Sequence, residues 1–460
     1  MEFYGREQEL WTLQQAFDLD TLDGAIIYGR RRFGKTTLIR KAAESFDGAF
    51  VYYQCLKSSD AINARGLSQA ARDALSDVFL SENASFAEVV EYLFRRGQSE
   101  PLLLVLDEYP YLSNRLEIDT KLQSLIDQYR HSSRMKIILS GSSVSVMESI
   151  LDEANPLHGR FRYKMQVDAF DYYEASRFYP NASGEEKIAY YAVFGGIPYY
   201  LSMIDESLGF EENVKRLILN PYAPLENEIL STMKEEYGKI ENASILMDAL
   251  SKGKHSHSDI KAAFAAQAPS SDLNYLLEQM VGMRFVGKRY SINDHGQKKP
   301  YYDIEDNLFS FYFSLVFPNV SRRAILNVDT FFDRYVKQKL YANFIPTKFE
   351  SACKQFLVRK NKEGFFEPPF TALGPYSYNN PKQKKNGQFD IVGECDEGLY
   401  FFECKYTNEK IGQSVYDEEI RQIAEAGLKA KKLGFFSKSG FAIFPQRNDC
   451  LCYDLDDLFR

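Results

Sequence analysis

One eight-residue segment constrains this chain more than any other. Gly29-Arg30-Arg31-Arg32-Phe33-Gly34-Lys35-Thr36 fits G-x-x-x-x-G-K-[ST] and follows the short apolar run Ala25 to Tyr28. The run predicts a buried strand and Thr36 to Ser45 predicts a helix, the setting in which this motif works. The glycines let backbone N–H groups curl around a β-phosphate, and the helix start adds partial positive charge. Lys35 is expected to reach the β- and γ-phosphates, Thr36 to ligate Mg²⁺ and Thr37 to join the phosphate contacts. Such a loop implies ATP with Mg²⁺ as the bound cofactor pair.

A phosphate loop needs a carboxylate at the end of a neighbouring strand. Leu102 to Leu106 ends in Asp107-Glu108. Asp107 is expected to hold Mg²⁺ and Glu108 to act as general base on the attacking water. Ile137 to Leu139 is another apolar strand. It ends in Ser140, a candidate partner for the γ-phosphate or the water. With Ala49 to Gln54 as a further strand and helical stretches between, the alternation predicts an α/β domain built on a parallel sheet.

Composition sets outer limits. There is no apolar run of about 18 residues, and the start Met1-Glu2-Phe3-Tyr4 lacks a signal-peptide pattern, so a cytoplasmic protein with no membrane partner is expected. Six cysteines are too few for a disulfide framework and read as reduced thiols. A net charge of −8 argues against a chain coated in positive charge for nucleic acid, but leaves room for a local basic face.

Further motifs carry a resemblance. Phe3-Tyr-Gly5-Arg6-Glu7-x-Glu9-Leu10 and Gly29-Arg-Arg-Arg-x-Gly-Lys-Thr resemble the opening and phosphate loop of the prokaryotic, archaeal-type ATPases, which are close to the AAA+ and STAND NTPases. That resemblance implies an AAA+-like domain with a helical lid over residues 1–231. It places Arg160, in Leu157-His-Gly-Arg-Phe-Arg162, toward a γ-phosphate, in cis or in trans; action in trans would demand a homo-oligomer. It makes Gly195-Gly196-Ile-Pro198 the lid motif near the adenine, with Pro198 in the nucleotide site.

Residues 232–325 read as three short helices and a β-hairpin, the outline of a winged helix. The third helix, Asp272 to Met280, has no Lys or Arg, whereas Lys288-Arg289 and Lys298-Lys299 on the wing suit phosphates. DNA is the candidate partner there, beside a purely structural role.

Residues 326–460 hold a second chemical pattern. Folding the hairpin about Asp396-Glu397 sets Asp390 opposite Glu403, and strand alternation puts Glu403 and Lys405 on one face. Two carboxylates can share a divalent metal while Lys405 orients water. The pattern resembles the PD-(D/E)XK nuclease fold, which implies a further acid at Glu350 and a contribution from Gln422, although no Pro precedes Asp390. The loop Gly374 to Gly387 is expected to be mobile, with Lys382, Lys384 and Lys385 placed to steer DNA. Two functional readings follow. One is an ATPase controlling a metal-dependent nuclease-like domain; the other is a STAND-type switch whose C-terminal domain is an inert partner-binding module. A small-molecule kinase is remote, because the chain shows no acceptor pocket pattern.

Overall fold

The structure is a computed structural model and describes residues 3–75, 81, 83–112, 115–237, 240–265, 273–380 and 385–460. Asp272, Lys382 and Lys384 lie outside the described residues, and so does the side chain of Lys385. The chain divides into two compact units, residues 1–169 and 170–460.

The first unit alternates helices α1 (Glu7–Phe17), α2 (Lys35–Ala43), α3 (Asp60–Ala74), α4 (Phe86–Arg96), α5 (Arg115–Tyr129) and α6 (Val144–Leu151) with five strands. These are β1 (Asp23–Tyr28), β2 (Ala49–Gln54), β3 (Leu102–Asp107), β4 (Lys136–Gly141) and β5 (Tyr163–Gln166). All pair in parallel, in the order β2-β3-β4-β1-β5. The central strands β3 and β4 are buried along their whole length because helices cover both faces of the sheet. The position of β4 matters most for chemistry. It stands between β1 and β3, so its C-terminal end separates the phosphate loop from the end of β3.

In the second unit, helices Ile240–Ser251, His257–Ala265 and Leu273–Gly282 precede an antiparallel pair, β6 (Val286–Arg289) and β7 (Tyr301–Ile304). A second five-stranded sheet follows in the order β12-β11-β10-β9-β8. It comprises β8 (Ala372–Asn380), β9 (Lys385–Cys395), β10 (Gly398–Lys405), β11 (Ala430–Ser437) and β12 (Leu451–Asp454). β8, β9 and β10 run antiparallel, and β10, β11 and β12 run parallel, with helix Gln413–Glu425 crossing between β10 and β11.

The expected mobile loop at Gly374 is instead strand for residues 372–380. Pro375 and the asparagines read as turn formers, but an edge strand needs fewer backbone donors and tolerates proline at a bulge, which lies between Gly374 and Tyr376. The Tyr378 ring then packs, tilted, against Phe389 with centroids 5.2 Å apart, one contact of the apolar cluster that holds this sheet edge.

Candidate functional site

The phosphate loop leaves β1 at Gly29, whose φ of 147° suits glycine. A Cβ there would stand 2.3 Å from the Val167 carbonyl oxygen, so the close approach also demands glycine. Arg32 takes φ 72°, and Gly34 at φ 85° caps α2. The buried Lys35 ammonium donates to the carbonyls of Gly29 at 2.7 Å and Arg30 at 3.1 Å, within the loop itself. Arg31 bonds the Tyr111 hydroxyl, and the Arg30 guanidinium lies 5.8 Å from the Phe33 ring centre. Thr36 follows Lys35 in the first turn of α2, with Thr37 next.

Asp107 gathers the second half of the site. One carboxylate oxygen accepts from Thr36 Oγ1 at 2.8 Å and from the Tyr52 hydroxyl at 2.7 Å. The other accepts from Ser140 Oγ at 2.6 Å and from the Glu108 N–H at 3.0 Å. Burial alone would push this carboxyl up, but the hydrogen bonds outweigh it and hold Asp107 below its ordinary range. Tyr52 responds oppositely: burial and its bond to Asp107 push the phenol up to about 12. Ser140 is therefore engaged with Asp107. Glu108 sits at φ 50°, and its carboxylate accepts from Ser142 N–H at 3.1 Å and Ser142 Oγ at 2.8 Å. Thr36 and Asp107 give an all-oxygen donor pair of the kind Mg²⁺ takes.

Two participants escaped the sequence reading. Arg6 is buried and donates to the Phe33 carbonyl at 3.2 Å, to the Asp168 carbonyl and to Glu9 at 3.0 Å, so the N-terminal motif clamps the phosphate loop. Its signal was the charged residue inside an otherwise compact Gly-Arg-Glu motif. Tyr52 had no local signal. Arg160 pairs with Asp127 on α5 at 3.1 Å and donates to the His158 carbonyl at 2.9 Å, so its guanidinium is committed within the first unit. In the second unit, Pro198 opens the short helix Pro198–Leu201. A Cβ on the preceding Gly196 would meet the Phe170 carbonyl oxygen at 1.8 Å, so packing accounts for that glycine.

The C-terminal sheet brings a different set together. The β9–β10 register pairs Ile391 with Phe402, and one step further sets Asp390 beside Glu403. Glu350, on helix Ile345–Lys362, feels both charges: burial first, then Asp390 and Glu403, raise it to about 7. Asp390 keeps an exposed edge, yet the protein around its carboxyl and the charge of Glu403 raise it. Lys405 forms an ion pair with Glu403. Burial would lower the ammonium, but that bond leaves it raised.

The missed member is Glu419, only 4% exposed and raised to about 7 by burial and then by Glu403. It shares with Glu403, Lys405, Glu418 and Gln422 a cleft of about 290 Å³. Its spacing, three before Gln422 on an amphipathic helix, could have exposed it. Among the described residues, no group of three or more His, Cys, Asp or Glu side chains stands close enough to hold a metal ion. The acids are electrostatic neighbours, with one already neutralised by Lys405.

Glu419 has a measurable consequence. Its folded carboxyl is raised above the ordinary value of 4.5, so its neutral form favours the folded state. That stability is complete below about pH 4.5 and is lost as pH rises through about 7. Glu419→Gln should therefore be more stable than wild type at pH 8, by on the order of 1–3 kcal/mol and so with a higher melting temperature, and match it near pH 4.5. Thermal melts at the two pH values without added divalent cation check this; equal melting temperatures at pH 8 count against it.

Comparison with known proteins adds the family. Residues 3–204 match the model of an ATPase domain found predominantly in Archaea, and residues 312–423 match a family of archaeal and bacterial proteins of unknown function. An uncharacterized protein of Methanocaldococcus jannaschii, MJECL04, is 25% identical over 468 residues, covering 99% of each chain. The Walker-type ATPase PABY2304 of Pyrococcus abyssi superposes with a TM-score of 0.52 at 18% identity, covering 68% of this chain and 96% of its own, which establishes a shared fold. No helix among the described residues is long and apolar enough to cross a membrane. The phosphate loop, the Asp107 network and the parallel sheet thus belong to a chain that carries an archaeal-type ATPase domain, joined to a C-terminal region of that second family.

Proposed function

We propose that this protein binds and hydrolyses ATP with Mg²⁺ and uses its nucleotide state to control a nuclease-like C-terminal domain acting on DNA. Thr36 and Asp107 would hold Mg²⁺, which would supply neutralisation of the phosphate charge. Lys35 and the loop N–H groups bind and orient the triphosphate. Glu108 takes a proton from the attacking water, and Ser142 keeps its carboxylate aimed by two hydrogen bonds. Arg160 meeting a γ-phosphate would require it to leave Asp127. Pro198 as a nucleotide contact, an oligomeric assembly, a cytoplasmic location and a winged-helix identity for residues 240–304 belong to the same reading.

The observation that carries the C-terminal half is the gathering of Glu350, Asp390 and Glu419, each raised in part by the charge of Glu403, around Lys405, which is ion-paired with Glu403. Four carboxylates with one cation leave excess negative charge, which an oxygen-seeking Mg²⁺ or Mn²⁺ would offset. When bound, such a metal would supply activation of water and screening of a phosphodiester. Cleavage of a linear DNA that needs Mg²⁺ or Mn²⁺ is expected from wild type, and a loss of at least about 10²-fold from both Asp390→Ala and Lys405→Ala. Equal cleavage by all three proteins would refute the assignment. The Glu403–Lys405 pair favours the second reading, a STAND-type switch with a catalytically inert C-terminal module. That reading predicts slow nucleotide exchange, little turnover and no metal-dependent cleavage by wild type.

A further inference from the structure

A cleft of about 730 Å³ opens in the second unit between β6 and helix Ile345–Lys362. Six of its lining side chains are Lys or Arg and three are Asp or Glu, a local excess of three positive charges in a chain of net charge −8. We propose that this cleft binds the phosphodiester backbone of duplex DNA. The proposal rests on the DNA-acting reading above and names the surface that reading lacks.

The helix contributes one stripe to the cleft: Ser351, Lys354, Gln355, Val358 and Lys362 recur at spacings of three and four, so they share a face. Lys288 comes from β6 on the opposite wall. Arg289 and Arg359 are partly spoken for, by Asp303 at 3.2 Å and Glu363 at 3.7 Å. Lys288, Lys354 and Lys362 have no carboxylate partner among the described residues. Burial and the nearby Arg289 hold Lys354 below its ordinary value, a cost that an incoming phosphate would offset. Pockets for small apolar ligands are lined mainly by hydrophobic side chains; here only Val281, Val286 and Val358 are apolar, and the lysines are spread along an open trough.

The walls belong to one body. The chain after β6 is tied to edge strand β8 by Ile292 N–H to the Pro375 carbonyl at 2.8 Å and by Asn293 to the Ser377 carbonyl at 2.7 Å. The same helix also carries Glu350, adjacent to Ser351 and roughly 100° around the axis, in the field of Asp390 and Glu403. A backbone held in the cleft therefore lies against the helix that contributes to the acidic cluster.

The test is fluorescence anisotropy of the full chain with a labelled 30-base-pair duplex between 50 and 250 mM salt. Wild type is expected to bind. Lys288→Glu/Lys362→Glu, at two exposed positions, should bind at least about 10-fold more weakly, with the log–log salt slope reduced in magnitude by about 2. Lys354→Gln should reduce it by about 1. Unchanged binding by the double variant, no binding by wild type at 50 mM salt, or full displacement of the duplex by micromolar tripolyphosphate each overturns the proposal. Asp390→Ala separates the two ideas. If the lysine variants bind as wild type while Asp390→Ala loses cleavage, the cleft is wrong and the nuclease reading stands. If the double variant loses binding but wild type never cleaves, the cleft stands and the nuclease reading falls.

Discussion

Lys35→Ala is expected to lower ATP hydrolysis by at least about 10²–10³-fold and to weaken ATP binding. Lys35 is the only ammonium in the loop Gly29 to Thr36, and the Gly29 and Arg30 carbonyls of that loop accept from it. Neutral carbonyls compete weakly with a triphosphate, so these two bonds can give way to phosphate oxygens. The loop's shape does not depend on Lys35 alone. Gly29 packs on Val167, and Arg6 pins the Phe33 carbonyl from outside. The variant should therefore remain folded while losing its phosphate contact. Calorimetric titration with ATP and a phosphate-release assay check both parts, and an ATP affinity equal to wild type would remove the nucleotide assignment.

Glu108→Gln should keep ATP binding and slow turnover by about 10²- to 10⁴-fold, the usual worth of a positioned general base. The geometry makes this substitution conservative. Both Ser142 donors point at one oxygen of Glu108, and an amide oxygen can accept the same bonds. Asp107, with its four donors, is untouched. What disappears is the basic carboxylate alone. Single-turnover hydrolysis beside a binding titration separates the two quantities; wild-type turnover in Glu108→Gln would move the base elsewhere.

Much of the setting of the phosphate loop was legible because its parts are local. Loop, strand and helix occupy consecutive residues from Asp23 to Ala43, and the predicted strands at Ala49, Leu102 and Lys136 form at those places. The register of the β9–β10 hairpin, which pairs Ile391 with Phe402, was legible for the same reason: a hairpin turn and a period of two fix which residues face each other. Segment 372–380 was misread because turn-forming residues dominate its composition, while its partner strand supplies the order.

The amino-acid sequence alone determined the phosphate loop, the acid pair at the end of β3, the α/β alternation and the facing carboxylates of the C-terminal hairpin, since each depends on backbone geometry within a short window. Tertiary structure decided what surrounds them. Inserting β4 between β1 and β3 put Ser140 on Asp107 and Ser142 on Glu108; pairing β2 with β3 delivered Tyr52; folding back the N-terminus delivered Arg6. In the second unit, the tertiary fold alone buried Glu419 among other acids and lined up lysines some seventy residues apart in one cleft. Such contacts are set by which strands and helices pack together over long separations, and no local periodicity encodes that choice.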